Sequence, residues 1–323
     1  MSESPTPLLV IPAETFSRYG CSTGIIPAGF VVDWLGTHTR GDVEDYLLSS
    51  DVAPFISYDR YFEPTPPLAH ELVLDWLPLL DAVELAGHTF TIVALGAGWG
   101  RWIVAGAFAA LKRGRDYRVV GVEAEPTHFA WMERHLRDNN IDPDRARLIQ
   151  AAANSYTGTC QFMVGNPTGI YGQRIIDQSQ EASDELRVAF NAELQRLGVT
   201  PQEVLCVDLE EVFQGLERVD YMHMDIQGAE ADVLLAKPDL LDERVAVINV
   251  GAHSELIERR LRRHFLSRGW HRMYDVPMGA SVDVRLEGSS DTNRITWGDG
   301  VQVWENRRLT RRQSGPSFVV GAA

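Results

Sequence analysis

Cysteine, positive charge and long apolar runs are all scarce in this chain of 323 residues. Its three cysteines, Cys21, Cys160 and Cys206, are odd in number and far apart, with no Cys-x-x-Cys pair. That pattern excludes a disulfide framework and a cysteine-rich zinc site, and it suits a reducing compartment. Lysine and arginine total 30 against 45 aspartates and glutamates, a formal charge of −15. Proteins grip the phosphate backbone with clustered Lys and Arg, so a nucleic-acid partner is not expected. No apolar run approaches the roughly 20 residues that a helix needs to span a bilayer. The first residues lack the basic start and apolar core of an export signal. A cytoplasmic location without a membrane partner is the expectation. Internal repeats and low-complexity tracts are absent too, and the length allows one large domain or a domain with an added cap.

What is present concentrates between Thr89 and Glu123. Thr91-Ile92-Val93-Ala94-Leu95 has the pattern of a buried strand and runs straight into Gly96-Ala97-Gly98-Trp99-Gly100. The next strand pattern, Val119-Val120-Gly121-Val122, ends in Glu123 and then Ala124. Alternate glycines at a strand end let a ligand lie against bare backbone. A carboxylate ending the next strand can accept from both hydroxyls of a ribose. Together they read as an adenosine-binding half-site. A dinucleotide fingerprint has a further glycine three residues after its second, where the helix packs close and the pyrophosphate sits. Here that position is Arg101. The spacing Gly96-x-Gly98-x-Gly100 is instead similar to that of S-adenosylmethionine-dependent methyltransferases, whose ligand has no phosphate.

Along the chain, residues 1–88 show no alternation of strand and helix and read as an N-terminal cap or lid, with a helix from Leu68 to about Glu84 by apolar periodicity. From residue 89 the pattern alternates, with strands at 89–95, 118–123, 146–152, 219–225, 244–250, 271–276 and 301–305. Helices fall near 100–113, 126–139, 229–236 and 254–267. A polar, aromatic interval from Asn154 to Thr200 contains a further helix over 183–197. Repeated strand-helix units predict a mostly parallel sheet with helices on both faces and ligands at the carboxyl ends of the strands. The cofactor domain then covers 89–310, and 311–323 is a tail, solvated through Arg307, Arg308, Arg311 and Arg312 just before and within it.

Two segments carry a family resemblance. Glu123-Ala124-Glu125-Pro126-Thr127-His128-Phe129 and, above all, Tyr221-Met222-His223-Met224-Asp225-Ile226-Gln227-Gly228-Ala229-Glu230 resemble the signature segments of the FkbM-type methyltransferases. The resemblance spans roughly 89–275 and matches the second signature at Asp225, Gly228, Ala229 and Glu230. It implies a class I, Rossmann-like α/β fold with a seven-stranded sheet, S-adenosyl-L-methionine as cofactor, and O-methylation of a small sugar-containing or polyketide acceptor. Two positions depart from the pattern: Gln227 stands where the family has Glu, and Ala94 where many methyltransferases have an acid before the glycine loop.

The candidate site follows from the strand ends. Gly96, Ala97, Gly98, Trp99, Gly100, Glu123, Ala124, Gln150 and Asp225 are the expected cofactor-binding residues, with Gln150 placed to meet the adenine. Asp225 ends one strand, and His253 follows the next strand, Val245–Val250, at the same sheet edge. Removing a proton from an acceptor hydroxyl needs a base, and His253 is the first candidate, with Asp225 beside it. Tyr58, Tyr61, Tyr156, Tyr171 and Gln173 are candidates for touching the acceptor. The spacing shows no tight ligand set such as His-x-x-x-His, so no metal is assigned, although a divalent ion held by Asp225 and His253 is an open alternative. A binding protein of the same fold, its cofactor site decayed at Ala94, is another.

Overall fold

The computed structural model describes residues 6–43, 59–62, 66–68, 70, 72–167, 173–176 and 196–320. In chain order its main elements are strand Leu8–Ile11 (β1), helix Val73–Leu85 (α1), strand Thr89–Leu95 (β2), helix Arg101–Lys112 (α2), strand Asp116–Glu123 (β3), helix Pro126–Asp138 (α3) and strand Ala146–Gln150 (β4). Strands Gly158–Val164 (β5), Thr200–Val207 (β6) and Tyr221–Met224 (β7) follow, then helix Glu230–Ala236 (α4), strand Val247–Ala252 (β8) and helix Glu255–Ser267 (α5). The last part holds strands His271–Val276 (β9), Ser281–Leu286 (β10), Thr292–Thr296 (β11), Gly300–Glu305 (β12) and Phe318–Val319 (β13).

The central sheet runs β13-β9-β12-β8-β7-β2-β3-β4. Every pairing is parallel except those of β12, which is antiparallel to both β8 and β9. Side chains alternate across each strand. On one face Ile92, Ala94 and Tyr221 join the core formed by α1 and α2. On the other, Val93, Leu95, Met222 and Met224 pack with Leu261 and Phe265 of α5. Each fully buried Leu, Ile or Val side chain contributes roughly 1.5–3 kcal/mol, so burial on both faces makes this sheet the most stable part of the molecule. It is the expected α/β architecture of a class I methyltransferase.

Three details depart from the sequence reading. The sheet has eight strands, because Phe318–Val319, within the stretch read as a solvated tail, pairs parallel with β9. Arg312 explains the docking: its guanidinium meets Asp81 of α1 at 2.5 Å, with both side chains about three-quarters covered. The interval after residue 154, read as polar and aromatic without a strand, contributes strand β5, antiparallel to β6; of the helix read over 183–197, residues 183–195 lie outside the described residues. Helix α1, part of the N-terminal segment, packs on the sheet against β7, β8 and α2. An edge-to-face chain Trp34–Trp76–Trp102, with centroids 5.2 and 5.3 Å apart, ties that segment to α1 and α2. No helix among the described residues is long and apolar enough to cross a membrane.

Candidate active site

The glycine loop is fixed at both ends. The N–H groups of Gly96 and Ala97 both donate to the Val122 carbonyl, at 3.0 and 2.9 Å, lashing the loop to the end of β3. Gly96 has φ +70, and a Cβ there would run into the backbone carbonyl oxygen of Asp225. The close approach of β2 and β7 thus permits no other residue. Gly98 has φ +54, and a Cβ on it would meet nothing, so its bare backbone faces the cleft.

Glu123 closes the opposite wall. Its Oε2 accepts from Gly98 N–H and its Oε1 from Glu125 N–H, each at 2.8 Å. Burial pushes this carboxyl above its ordinary range, against the opposing pull of His128 and the two N–H groups. A carboxylate has about four acceptor sites, so each oxygen keeps one for a ligand hydroxyl. Glu125 in turn caps α3, accepting from His128 N–H at 2.8 Å with Pro126 at the first helical position. Such a cap contributes about 1 kcal/mol and holds the carboxylates of the strand end in place.

Between these walls lies a cleft of about 390 Å³, lined among others by Gly96, Gly98, Glu123, Ala124, Asp225 and Asp299. The size is within the range of roughly 300–1,000 Å³ that suits a small ligand. Ala151, Ala152 and Ala153 form its far wall with Phe162 and Ile175, a flat apolar slot fit for a planar ring. Of the expected cofactor residues, Ala97, Trp99, Gly100 and Gln150 do not line it. Trp99 turns away, edge-on to His135 at 4.9 Å with the Arg101 guanidinium over its ring at 4.9 Å. Its ring packs between His135 and the Arg101 guanidinium. Gln150 ends β4 exposed to solvent, and the alanines after it take the wall position.

Asp225 and His253 come together as expected. His253 leaves β8 just before Ser254, whose hydroxyl caps α5 by accepting from Ile257 N–H at 3.2 Å. The imidazole Nδ1 bonds Glu230 Oε1 at 2.8 Å, and Nε2 lies 3.4 Å from Asp225 Oδ1 and 3.7 Å from Asp299 Oδ2. Burial alone lowers the imidazole's pKa, but the Glu230 hydrogen bond and the charges of Asp225, Glu230 and Asp299 outweigh it and raise it to about 9. At neutral pH His253 is therefore an imidazolium whose proton must leave before it can serve as a base. Asp225 opens into the cleft with 46% of its side chain exposed. Desolvation by the cleft walls pushes its carboxyl above its ordinary range, against His253 and His223.

Glu230, fully buried, is the fastener of this centre: its Oε1 also accepts from Ile226 N–H at 3.3 Å and Gly228 N–H at 3.0 Å. Asp299 and His128 line the cleft as well and were not singled out as site residues from sequence. The signal for Asp299 was the Gly298-Asp299-Gly300 turn opening β12, which only antiparallel placement brings to this edge. His223 lies beneath the sheet, its Nε2 3.3 Å from Asp75 Oδ1, which also accepts from Asn249 at 2.9 Å. Ala94 pairs with His223 in register on that same face. Among the described residues no group of three or more His, Cys, Asp or Glu is placed to hold a metal ion. Gln173 lines the cleft, while Tyr156 lines an adjoining cavity. Tyr61 stands 71% exposed on a two-stranded ribbon, lining neither cavity. Tyr58 and Tyr171 lie outside the described residues.

Comparison with known proteins gives a consistent answer. The model of the Methyltransferase FkbM domain matches residues 96–269. A protein of Jannaschia sp. (strain CCS1) named "Putative methyltransferase" is 26% identical over 251 residues, 77% of this chain and 85% of the relative. Among solved structures, methyltransferase FkbM from Methylobacillus flagellatus KT aligns with a TM-score of 0.42 at 11% identity, covering 71% of this chain and 53% of that one. TrmK of M. capricolum, solved in complex with S-adenosyl-homocysteine, aligns with a TM-score of 0.33 at 8% identity, covering 71% of this chain and 67% of that one.

Proposed function

Since this chain belongs to the FkbM methyltransferase family, we propose that it uses S-adenosylmethionine to methylate a hydroxyl of a small, sugar-containing or polyketide acceptor. The observation that carries the proposal is the single cleft that joins the bare backbone of Gly96 and Gly98, the Glu123 carboxylate and the Asp225–His253 pair. Residues present fit such a cofactor. Glu123 retains acceptor sites for ribose hydroxyls, the alanine wall suits an adenine, and the glycine loop leaves room for the amino-acid part. When bound, S-adenosylmethionine supplies an electrophilic methyl group on a positively charged sulfur.

The chain's own task is then positioning and proton removal. Methylating a hydroxyl releases its proton, and a residue of this chain would have to take it up. Asp225, a cleft carboxylate 3.4 Å from His253 Nε2, is the group we assign to take it. Holding the reactants in line supplies much of the rate, and a placed base typically adds about 10²–10⁴-fold. A second cavity of about 770 Å³ adjoins the cleft across Ile226 and Gln227. Its lining includes Asn154, Ser155, Tyr156, Thr159 and Gln161, hydroxyl and amide groups that suit a polyhydroxylated acceptor.

The test is incubation with methyl-labelled S-adenosylmethionine and a panel of glycosides and polyketides. Label recovered as a methyl ether is the expected product. Label found only on nitrogen or carbon, or transfer indifferent to both Asp225→Asn and His253→Ala, overturns the proposal.

A further inference from the structure

Gln227 is one of the two positions at which this chain departs from the pattern it resembles, and its geometry is unusual. Its backbone has φ +55, the left-handed region that side chains other than glycine rarely enter, and Gly228 follows at φ +116. The turn folds the amide back over its own loop, where Nε2 donates to Asp225 Oδ1 at 2.7 Å. That oxygen is also the one 3.4 Å from His253 Nε2. Asp225 Oδ2 takes no hydrogen bond among the described residues, and the side chain opens into the cleft. Glu230 fixes the backbone on either side of Gln227 from below, through Ile226 N–H and Gly228 N–H.

We propose that Gln227 is the positioning residue for Asp225: its amide pins Oδ1, so that Oδ2 is the oxygen presented to the acceptor hydroxyl. An amide at this place also sets the charge of the centre. Asp225 is faced by His253, His223, Glu230 and Gln227, and His253 by Glu230, Asp225 and Asp299. A glutamate at 227 would put a carboxylate where the 2.7 Å hydrogen bond now is. Two carboxylates that close cannot both ionise, so one takes up a proton and the pair ceases to be a free acceptor. Glutamine donates to Asp225 without adding a charge to the centre.

The inference rests on the reading of Asp225 as proton acceptor, and its test separates the two. Full-length wild type, Gln227→Glu and Gln227→Leu are titrated by NMR, following the His253 imidazole and the Asp225 carboxyl, and each is titrated calorimetrically with S-adenosylmethionine. In Gln227→Glu the Asp225 carboxyl should hold its proton to higher pH, because a second carboxylate lies against it, while His253 moves little, since the shared proton leaves the net charge of the pair unchanged. In Gln227→Leu the Asp225 midpoint should rise, because a donor to the ionised form is gone, while His253 moves little. With an acceptor in hand, kcat should fall about 10–100-fold in both variants, with little change in acceptor KM. The pH profile of Gln227→Glu should move with the Asp225 midpoint. Folded variants with midpoints and pH profiles equal to those of wild type overturn the role of Gln227. Should wild type fail to bind S-adenosylmethionine, the methyltransfer reading falls, and the NMR midpoints still decide whether Gln227 governs Asp225.

Discussion

Glu230→Gln is the most informative single change, because it removes one charge and keeps an acceptor for the imidazole. Glu230 is fully buried and its 2.8 Å bond to His253 Nδ1 is the shortest contact the ring makes. His253 sits at about 9 where an unperturbed histidine has 6.5. That difference corresponds to about 3 kcal/mol of preference for the imidazolium in the folded state. The side chain is only 13% exposed, so solvent screens little of it. Glu230 supplies the hydrogen bond and one of three nearby charges, and losing an opposite charge at this range shifts a pKa by about 1–3 units. His253 in Glu230→Gln should therefore titrate between about 6 and 8. Nitrogen-detected NMR of the nine histidines, with His253→Gln to assign the signal, measures it directly. Stability should follow with a definite sign. The folded pKa is raised, so the pairing contributes fully below 6.5 and is lost as pH rises through about 9. Wild type should lose up to about 3 kcal/mol of unfolding free energy across that window, and Glu230→Gln clearly less. A wild-type midpoint near 6.5, or equal midpoints in the two proteins, would refute the reasoning.

Other perturbations have equally definite outcomes. Glu123→Ala should weaken S-adenosylmethionine binding about 10–100-fold, the value of about 1.5–3 kcal/mol for hydrogen bonds to a charged group; unchanged affinity by calorimetry would remove Glu123 from the site. Gly96→Ala should cost more than about 2 kcal/mol in urea unfolding, because its Cβ meets the Asp225 carbonyl on a left-handed backbone. A variant as stable as wild type would contradict the packing of β2 against β7. Arg312→Ala leaves Asp81 without its cation in a partly covered site, and about 1–3 kcal/mol of stability should go with it. An unchanged Tm would mean that the C-terminal stretch is not docked as described.

Much of the fold is legible because the strands announce themselves twice, by apolar runs and by what ends them. Thr89–Leu95 followed by the glycines, and Asp116–Glu123 followed by a capped helix, are local patterns with local causes. Asp225 and His253 are found by the same rule, since parallel strands present their carboxyl ends to one edge. Asp299 escapes it because β12 is antiparallel and brings its beginning to that edge. Strand β5 is obscured by its polar residues, Gly158, Thr159 and Gln161, and its pairing with β6 spans a long separation in sequence. Trp99 lies outside the cleft lining for a different reason. A motif locates a residue on a loop but does not say which way its side chain leaves, and here the partners His135 and Arg101 decide. The charge on His253 was invisible for a similar cause. Asp225 and Glu230 from one stretch of chain and Asp299 from another surround it, and only the fold assembles them.

The central claim is that the cleft between the glycine loop and Glu123 takes S-adenosylmethionine. Calorimetric titration of the full chain with S-adenosylmethionine, S-adenosylhomocysteine and NAD tests it most directly. Saturable one-to-one binding of the first two, weakened in Glu123→Ala, with no heat from NAD, is the predicted result. Binding of NAD in their place, or no binding of either sulfur ligand, would contradict it.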